Sequence, residues 1–338
     1  MNLFTILARR PLVAVTLALC LPAAQASTAA YDQMVASGAT AEGVFARIVV
    51  RDDVGLAGAA ALAAAPAFTG VVALSAGSSL FCTGVLISTN TVLSARHCGA
   101  LTGQFVRFGT DFSSPTFSST IASVLLPAGG NALSPFLDGG DLAIITLMQT
   151  VPGHIATPFA LSDATTSLTG FSVATVGYGL RGVGSTGTTV VDGIRRGGSN
   201  VLDRYGQAVN SSSSLANTAN IFSTDFDNPA GTSNTLGWLG SQVTATTFEA
   251  TTAQGDSGGP LLIDNGGQWT LVGVLSGGST NNSVYGDISW WTGVSPFRTQ
   301  IELAGGGFIT AVPEPGSYLL MLLGLAVVGA RLRHAART

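Results

Sequence analysis

The sequence feature that most constrains the fold is the six-residue string Gly255-Asp256-Ser257-Gly258-Gly259-Pro260. Glycines on both sides of a serine permit positive φ angles and let another backbone approach closely. With such angles, the N–H groups of Gly255 and Ser257 can point at one spot. A serine hydroxyl becomes a useful nucleophile only beside a base, so the fold must bring a distant residue to Ser257.

Histidine is scarce between the two ends of the chain, and this narrows the choice of base. The central part contains only His97 and His154. His97 ends the segment 92–97, directly after a predicted strand and next to a cysteine, which would hold its backbone rigidly. His154 follows the turn-forming residues 151–153, a context typical of a solvated loop. We therefore predict that His97 is the base for Ser257.

A carboxylate that orients the histidine is expected just before an apolar strand, where it can be buried against the imidazole. Asp141 opens the apolar segment 141–147 and fits this position. Asp138, in a glycine-rich turn, is the competing candidate and is more typical of a solvent-facing residue. Asp256 diverges from its neighbour Ser257, so we predict a structural ion pair for this carboxylate, buried under the loop.

The N-terminal residues 1–26 have the three parts of a secretory signal. Arg9 and Arg10 precede the apolar stretch 12–21, and small residues follow at 24–26. A membrane anchor is the alternative, but the apolar stretch is too short to span comfortably. A lipoprotein signal at Cys20 is disfavoured because a leucine, not a small residue, precedes this cysteine.

The C-terminal residues 312–338 also have three parts, namely a Pro-Glu-Pro head, the apolar run 318–330 and a cluster of arginines. The run is short for an independent spanning helix, which needs about 20 residues. This order resembles the PEP-CTERM sorting signal. The resemblance implies export to the periplasm, outer surface or matrix of a Gram-negative bacterium, transient membrane anchoring, and recognition by an exosortase-type enzyme that removes the tail. A simple C-terminal anchor is the alternative.

Composition excludes one class of partner and predicts one crosslink. Charged residues make up 9% of the chain and the net charge is −4, so we expect no nucleic-acid binding. Cys82 and Cys98 form an even pair in an exported protein, which predicts one disulfide worth about 3 kcal/mol. We predict no cofactor and no metal site, and interpret Asp225 and Asp227 as solvated loop residues rather than calcium ligands.

Short apolar segments between Gly- and Ser-rich turns predict an all-β protein with one terminal helix. The stretch 27–65 is weakly patterned and predicts a pro-segment or N-terminal extension. The stretch 180–234 is rich in Gly, Ser, Thr and Asn and predicts elongated surface loops. The predicted strands are 69–74, 80–87, 104–108, 120–126, 142–147, 171–178, 261–263, 269–275 and 283–291, and the predicted helix is 296–303.

Four strings together resemble the trypsin/chymotrypsin-type serine proteases, in that family's order of His, Asp and Ser. The strings are 81–87, 94–98, 141–143 and 255–260. The resemblance implies two perpendicular six-stranded β-barrels and a short C-terminal helix over residues 66–308. It also implies a hydrolase acting on protein or peptide substrates through His97, Asp141 and Ser257. The N–H groups of Gly255 and Ser257 would form the oxyanion hole.

The same resemblance predicts how a substrate binds. Ser276, Gly277 and Gly278 resemble the segment that pairs with the substrate backbone. Thr251, six residues before the nucleophile, falls at the floor of the S1 pocket, which receives the residue before the cleaved bond. A neutral floor predicts small or medium uncharged residues there, not Arg or Lys. Ala253 replaces a cysteine common in relatives, and Gly277 replaces a tryptophan, which leaves the pairing segment less shielded.

The predictions for activation and for function each leave an alternative open. Residues 47–49, Arg-Ile-Val, resemble a zymogen junction whose new N-terminal Ile48 would pair with Asp256, but a Val-Arg pair follows instead of two glycines. Constitutive activity is the alternative. A catalytically silent module that binds envelope proteins or exopolysaccharide, or a structural matrix protein, would have the same sorting signals. Because no triad residue is missing, the sequence favours catalysis.

Overall fold

Short strands joined by tight turns make up most of the described chain, as the sequence predicts. The computed structural model describes residues 48–127, 139–162, 168–190, 192–206, 220–265 and 267–309. Its strands are β1 (Val49–Val50), β2 (Val71–Ala76), β3 (Ser79–Leu86), β4 (Thr91–Ser94), β5 (Phe105–Phe108), β6 (Phe117–Leu125), β7 (Ala143–Leu147), β8 (Ala160–Ser162), β9 (Ser172–Gly177), β10 (Arg181–Val183), β11 (Gly187–Val190), β12 (Arg196–Val201), β13 (Arg204–Gly206), β14 (Ile221–Asp225), β15 (Ala250–Thr251), β16 (Pro260–Asn265), β17 (Gln268–Gly278), β18 (Ile288–Gly293) and β19 (Phe308–Ile309). Its α-helices are α1 (Gly55–Ala63) and α2 (Arg298–Leu303).

Six strands form a closed barrel in the order β2-β3-β4-β7-β6-β5, and all neighbours are antiparallel. Fully buried side chains such as Leu74, Val92 and Ile145 fill its interior, each contributing about 1.5–3 kcal/mol. Gly84 on β3 completes this packing, since a Cβ there would lie 2.8 Å from both Leu74 and Val92. The closed barrel is therefore tightly packed where β3 and β4 approach the site described below.

The second sheet contains nine strands, and its main path runs β12-β9-β16-β17-β18-β14-β13. β8 joins by parallel pairing with β17, and β19 pairs in turn with β8. Buried apolar residues including Phe222, Leu261 and Trp291 pack on one another in its interior. The sheet is a half-barrel, and the whole is the chymotrypsin-like arrangement that the sequence predicts.

A shared core joins the closed barrel to the second sheet. It contains Val71 and Leu93 from the barrel, Val176 and Val274 from the sheet, and Ile301 from α2, all without exposed surface. α2 corresponds to the predicted C-terminal helix. Because β4 ends in this core, the turn that follows it lies next to loops of the second sheet.

Residues 48–65, expected in an N-terminal extension, already pack into the fold. β1 pairs with β10 and β15, and its residues Val49 and Val50 have no exposed surface, nor has Ile48. α1 packs against β12. Residues 27–47 and both predicted sorting signals lie outside the described residues. Within the described ranges, no helix is both long and apolar enough to cross a membrane.

The prediction of surface loops over 180–234 is wrong, because this stretch contains β10 to β14 in the described part of the chain. Two of these strands, β12 and β14, are mostly buried. The glycines on β12 allow close packing rather than a turn: a Cβ on Gly198 would lie 2.2 Å from that of Ala250, and one on Gly197 would lie 3.0 Å from Val176. Glycine content alone therefore gave the wrong prediction.

Candidate active site

His97 is held at the edge of the closed barrel by a short turn and a disulfide. The 3-10 turn Arg96–Cys98 follows β4 directly and ends at Gly99, whose φ of +60° suits glycine. The disulfide joins Cys98 to Cys82 on β3, with 6.1 Å between their Cα atoms. The predicted disulfide is therefore present, and it fixes the backbone of the histidine against the barrel.

Asp141, His97 and Ser257 form one hydrogen-bonded chain. Oδ2 of Asp141 lies 2.7 Å from Nδ1 of His97, and Oδ1 accepts a 2.9 Å bond from the histidine backbone N–H. Nε2 of His97 lies 2.7 Å from Oγ of Ser257. A carboxylate only accepts hydrogen bonds, so Nδ1 holds the ring proton and Nε2 is free to accept one from the serine.

The chain runs from a buried carboxylate to an accessible serine. Asp141 is fully buried, the His97 side chain is 24% exposed, and Ser257 is half-buried. The structure thus brings all three predicted residues together. Asp138, the competing carboxylate, lies outside the described residues. His154 is exposed, as its turn context predicts.

The loop around Ser257 depends on two glycines with positive φ. Gly255 has φ +83° and Gly258 has φ +77°. A Cβ on Gly258 would lie 2.1 Å from Oγ of Ser94 and 2.5 Å from the carbonyl oxygen of Thr83, so a side chain has no room. The N–H of Gly258 donates to the carbonyl of Leu275 on β17 at 2.8 Å. The loop is therefore wedged between the closed barrel and the second sheet.

Asp256 is buried below this loop, as expected, and its carboxylate braces backbone. It accepts hydrogen bonds from the N–H groups of Gly179 at 2.9 Å and Ala253 at 3.0 Å. A Cβ on Gly177 would lie 2.1 Å from Oδ1, so the carboxylate fits only beside glycine. The predicted structural ion pair of Asp256 stays a prediction.

Comparison with known proteins gives the family. The sequence model of the trypsin family matches residues 61–301. The chain belongs to the trypsin family. A solved structure described as neuropsin, a serine protease expressed in the limbic system of mouse brain, has the same fold. It is 20% identical, covers 71% of this chain and 96% of its own, and superposes with a TM-score of 0.53.

A second match covers the C-terminal end of this trypsin-family protein. The PEP-CTERM protein-sorting motif matches residues 311–335. This confirms the predicted signal, which indicates export in Gram-negative bacteria and sorting by an exosortase-type enzyme. The trypsin-like serine protease domain implies peptide substrates.

Hydroxyl groups surround the predicted S1 floor of the trypsin-family domain. Thr251 is buried, and its Oγ1 lies 3.0 Å from Oγ of Ser289, which also lies 2.8 Å from Oγ1 of Thr252. Ser283 donates to the carbonyl of Thr252 at 2.9 Å and has an unusual φ of +54°. Sequence reasoning missed Ser289, because it lies on β18, 38 residues from Thr251, and only the tertiary fold brings the two hydroxyls together.

The predicted substrate-pairing segment lies at the end of β17. Ser276 is buried and its Oγ lies 2.7 Å from Oγ1 of Thr292 on β18. Gly277 and Gly278 are half-buried and pair with β18 on one side. On the other side, β16 pairs with β17 only as far as Val274. Among the described strands none covers that side of 276–278, so an extended peptide can add there.

A group of buried carboxylates lies in the second sheet of the trypsin-family domain. Asp203, Asp225, Asp227 and Glu249 are each at most 7% exposed. The interpretation of Asp225 and Asp227 as solvated is therefore wrong: β14 carries the first into the interior, and the second, two residues after the strand ends, is also buried. The local sequence, Asp-Phe-Asp before Asn-Pro, looks like a loop, and only the sheet register shows its burial.

Burial raises the pKa values of these four carboxyl groups. The pKa of Asp203 is raised to about 9 by burial and by the charge of Asp225, and burial raises that of Asp225 as well. Burial raises the pKa of Glu249 to about 8 and that of Asp227 to about 7. At neutral pH part of this group therefore keeps its protons in the folded protein.

One set of side chains in the described part has metal-ligand spacing, namely His97 with Cys82 and Cys98. The sulfur atoms of the two cysteines are joined in the disulfide, so they offer no thiolate. The imidazole contacts Asp141 and Ser257 instead. The set is therefore accounted for by the disulfide and by the histidine that contacts Asp141 and Ser257.

Proposed function

We propose that the protein is an exported serine endopeptidase that uses Ser257 as its nucleophile. The observation that supports this is the unbroken hydrogen-bonded chain from Asp141 through His97 to Ser257, with both side-chain links at 2.7 Å. Nucleophile, base and orienting carboxylate at these distances are what acyl transfer by serine requires.

The geometry supports a two-step hydrolysis. Oγ of Ser257 bonds to the carbonyl carbon of the peptide while Nε2 of His97 takes its proton. The C–N bond then breaks, and the histidine gives this proton to the leaving amine. Water, deprotonated by His97, attacks the resulting ester, and the proton returns to Ser257 as the acid is released. The N–H groups of Gly255 and Ser257 stabilise the oxyanion in both steps.

A fluorophosphonate probe tests the nucleophile directly. We expect the mature protein to be labelled at Ser257 and not at other serines, because the Ser257 hydroxyl lies 2.7 Å from Nε2 of His97, which can take its proton. Mass spectrometry of the labelled peptide identifies the site. Absence of labelling on folded protein would favour the silent binding module or the matrix protein over the enzyme.

Specificity for uncharged residues before the cleaved bond follows from the hydroxyl groups around Thr251. The hydroxyls of Thr251 and Thr252 both bond to that of Ser289, and these three side chains provide no carboxylate to pair with Arg or Lys. We expect cleavage after small or medium uncharged residues when a peptide library is digested. Cleavage confined to sites after Arg would contradict this.

Activation by cleavage after Arg47 is supported by the burial of the segment that follows. β1 pairs with β15, next to the loop braced by Asp256, and Ile48 is fully buried. A new ammonium group at Ile48 would supply the cation that Asp256 is predicted to need. N-terminal sequencing of the active protein distinguishes the two alternatives: a start at Ile48 supports cleavage, and any other start supports constitutive activity.

Release at the cell envelope is the final part of the proposal. The PEP-CTERM match implies that the tail anchors the exported protein transiently until an exosortase-type enzyme removes it. We expect mature protein from cells to lack the tail after 311, and intact mass measurement checks this. The natural compartment is then the periplasm, the outer surface or the matrix.

A further inference from the structure

Thr83 contacts the nucleophile loop from the closed barrel. It lies on β3, is fully buried, and follows the disulfide residue Cys82. Its backbone N–H donates to the carbonyl of Ser257 at 2.9 Å. Its side-chain hydroxyl donates to the carbonyl of Gly255 at 3.0 Å and accepts from the N–H of Tyr178 at 3.2 Å. One residue thus links β3, the nucleophile loop and the turn after β9.

The hydroxyl holds one edge of the peptide unit between Gly255 and Asp256. The carbonyl of this unit accepts from Thr83, and its N–H donates to the carbonyl of Ala253 at 3.3 Å. The second bond is long, so the Thr83 bond is the shorter of the two that fix this plane. Without it the plane can rotate about a glycine, which resists rotation less than any other residue.

The N–H of Gly255, the proposed first donor of the oxyanion hole, belongs to the Gln254–Gly255 peptide unit, which shares the Cα of Gly255 with the unit that Thr83 holds. The carbonyl of Gln254 accepts a long bond, 3.4 Å from the N–H of Leu180, so the direction of this donor depends on the conformation of Gly255. The second donor, the N–H of Ser257, belongs to a peptide unit whose carbonyl, that of Asp256, accepts from Gly259 at 2.6 Å. That unit is fixed without Thr83. The first donor is the one that depends on the threonine hydroxyl.

We propose that the Thr83 hydroxyl is a positioning group for the oxyanion hole, which acts by fixing the Gly255–Asp256 peptide against the turn at Tyr178. This inference rests on the proposed function. The hydroxyl does not touch the substrate. It acts on the transition state through Gly255, so its loss lowers kcat more than it raises KM.

The matched pair Thr83→Val and Thr83→Ser tests the inference. Valine keeps the shape and the backbone bond to Ser257 but lacks the hydroxyl, whereas serine keeps the hydroxyl. Loss of a direct oxyanion donor costs about 10²–10³-fold in kcat. For the indirect effect of Thr83→Val we expect a fall of about 10- to 100-fold in kcat with KM within about twofold. Thr83→Ser should stay within about threefold of the wild type.

Binding of a peptide boronic acid gives an independent measurement. Its tetrahedral adduct with Ser257 places an oxygen in the oxyanion hole, so its affinity should fall with kcat in Thr83→Val. Affinity for a non-covalent peptide product should stay unchanged. Equal losses for both ligands would overturn the inference, since they indicate a general disturbance of the cleft.

Thr91→Val is the control for loss of a buried threonine hydroxyl. Thr91 lies on β4 of the same barrel, is 1% exposed, and donates to the carbonyl of Ala304 at 2.6 Å, on the α2 side. We expect this variant to lower the melting temperature without lowering kcat. If Thr91→Val reduces kcat as much as Thr83→Val does, the effect is structural and the inference is wrong.

The outcomes separate this inference from the proposed function. Active wild type with an equally active Thr83→Val overturns the role of Thr83 alone. A folded wild type that neither turns over peptide nor reacts with the fluorophosphonate overturns both. If Thr83→Val does not fold, Thr83→Ala removes the same hydroxyl with less bulk, and its kcat must fall by a similar factor.

Discussion

The closed barrel and the second sheet consist of similar short strands, yet they hold buried charge in different ways. The barrel places one fully buried carboxylate, that of Asp141, against the imidazole of His97. The second sheet buries several carboxyl groups together: Asp225 and Asp227 raise the pKa of Asp203, and Asp225 raises the pKa of Asp227. The buried carboxylate of the barrel thus serves the proposed catalysis, whereas the buried carboxyl groups of the second sheet make stability depend on pH.

The proposed active site depends on both regions. The barrel contributes His97 and Asp141, and the second sheet contributes Ser257. Neither region contains all three residues, so the proposed catalysis should report on how the two regions fit together, whereas stability should report on each region separately. Variants in each region can therefore test whether the two regions affect catalysis and stability differently.

Removing the nucleophile has the largest expected effect. Ser257→Ala should lower kcat by about 10⁶-fold, because the other triad residues have no hydroxyl to activate. Folding should be retained, since the backbone carbonyl of Ser257 still accepts from Thr83 on the barrel when the side-chain bond to His97 is lost. Steady-state kinetics and thermal melting measure both. Ser123→Ala, at an exposed position on β6, is the control, and turnover by Ser257→Ala within tenfold of it would contradict the prediction.

Replacing the carboxylate of Asp141 with an amide has the second largest expected effect. Asp141→Asn should lower kcat by about 10⁴-fold. The amide of asparagine can donate towards Nδ1 of His97, which favours the tautomer with its proton on Nε2, where it no longer accepts from Ser257. Asp264→Asn removes an exposed carboxylate at the β16–β17 hairpin and should leave kcat unchanged. Equal kcat for the two variants would show that Asp141 does not orient the histidine.

The disulfide tests the stability of the closed barrel. Its partners are 16 residues apart, so replacing both Cys82 and Cys98 with alanine should lower the free energy of unfolding by about 3 kcal/mol. Urea unfolding of the oxidised and reduced wild type and of the variant measures this. Reduction should lower the free energy of unfolding of the wild type to that of the variant, and should leave that of the variant unchanged. Identical midpoints in all samples would mean that the barrel needs no crosslink.

The same two regions differ in how far the sequence predicts them. The prediction of 69–74 and 80–87 lies within two residues of β2 and β3, because runs of mostly apolar residues continue between clear turns. β12 was missed since Arg196, two glycines, a serine and an asparagine carry no apolar pattern. Its place depends on contacts with β9 and β15 from distant parts of the chain, which local sequence does not encode.

That His97, Asp141 and Ser257 lie together was easier to predict than the second sheet for a related reason. His97, Asp141 and Ser257 are each tied to a local string with strict chemical needs, so their types and order were readable. Thr83 and Ser289 have no such string. Their roles follow from atoms that meet across the fold, at Gly255 and at Thr251.

The buried carboxyl groups of the second sheet should have a smaller effect, which is to make the melting temperature depend on pH. Their pKa values are raised in the folded state, so between about pH 4 and pH 9 the folded chain holds more protons than the unfolded one. This contribution to stability is full below about pH 4. It is lost as the pH rises through the values of about 7, 8 and 9 that belong to Asp227, Glu249 and Asp203. The melting temperature should therefore fall between pH 5 and pH 9.

Asp225→Asn should make this fall smaller. The amide oxygen can still accept the bond from Leu236, which is 2.7 Å long in the wild type, and its N–H can donate to Asp203, which then no longer needs a proton. We expect the variant to melt about 2–4 °C above the wild type at pH 9, with a smaller difference at pH 5. Exposed Asp264→Asn should follow the wild type at both values. A wild type whose melting temperature rises from pH 5 to pH 9 would mean that these groups are ionised in the folded state, and that their burial does not make stability fall with pH.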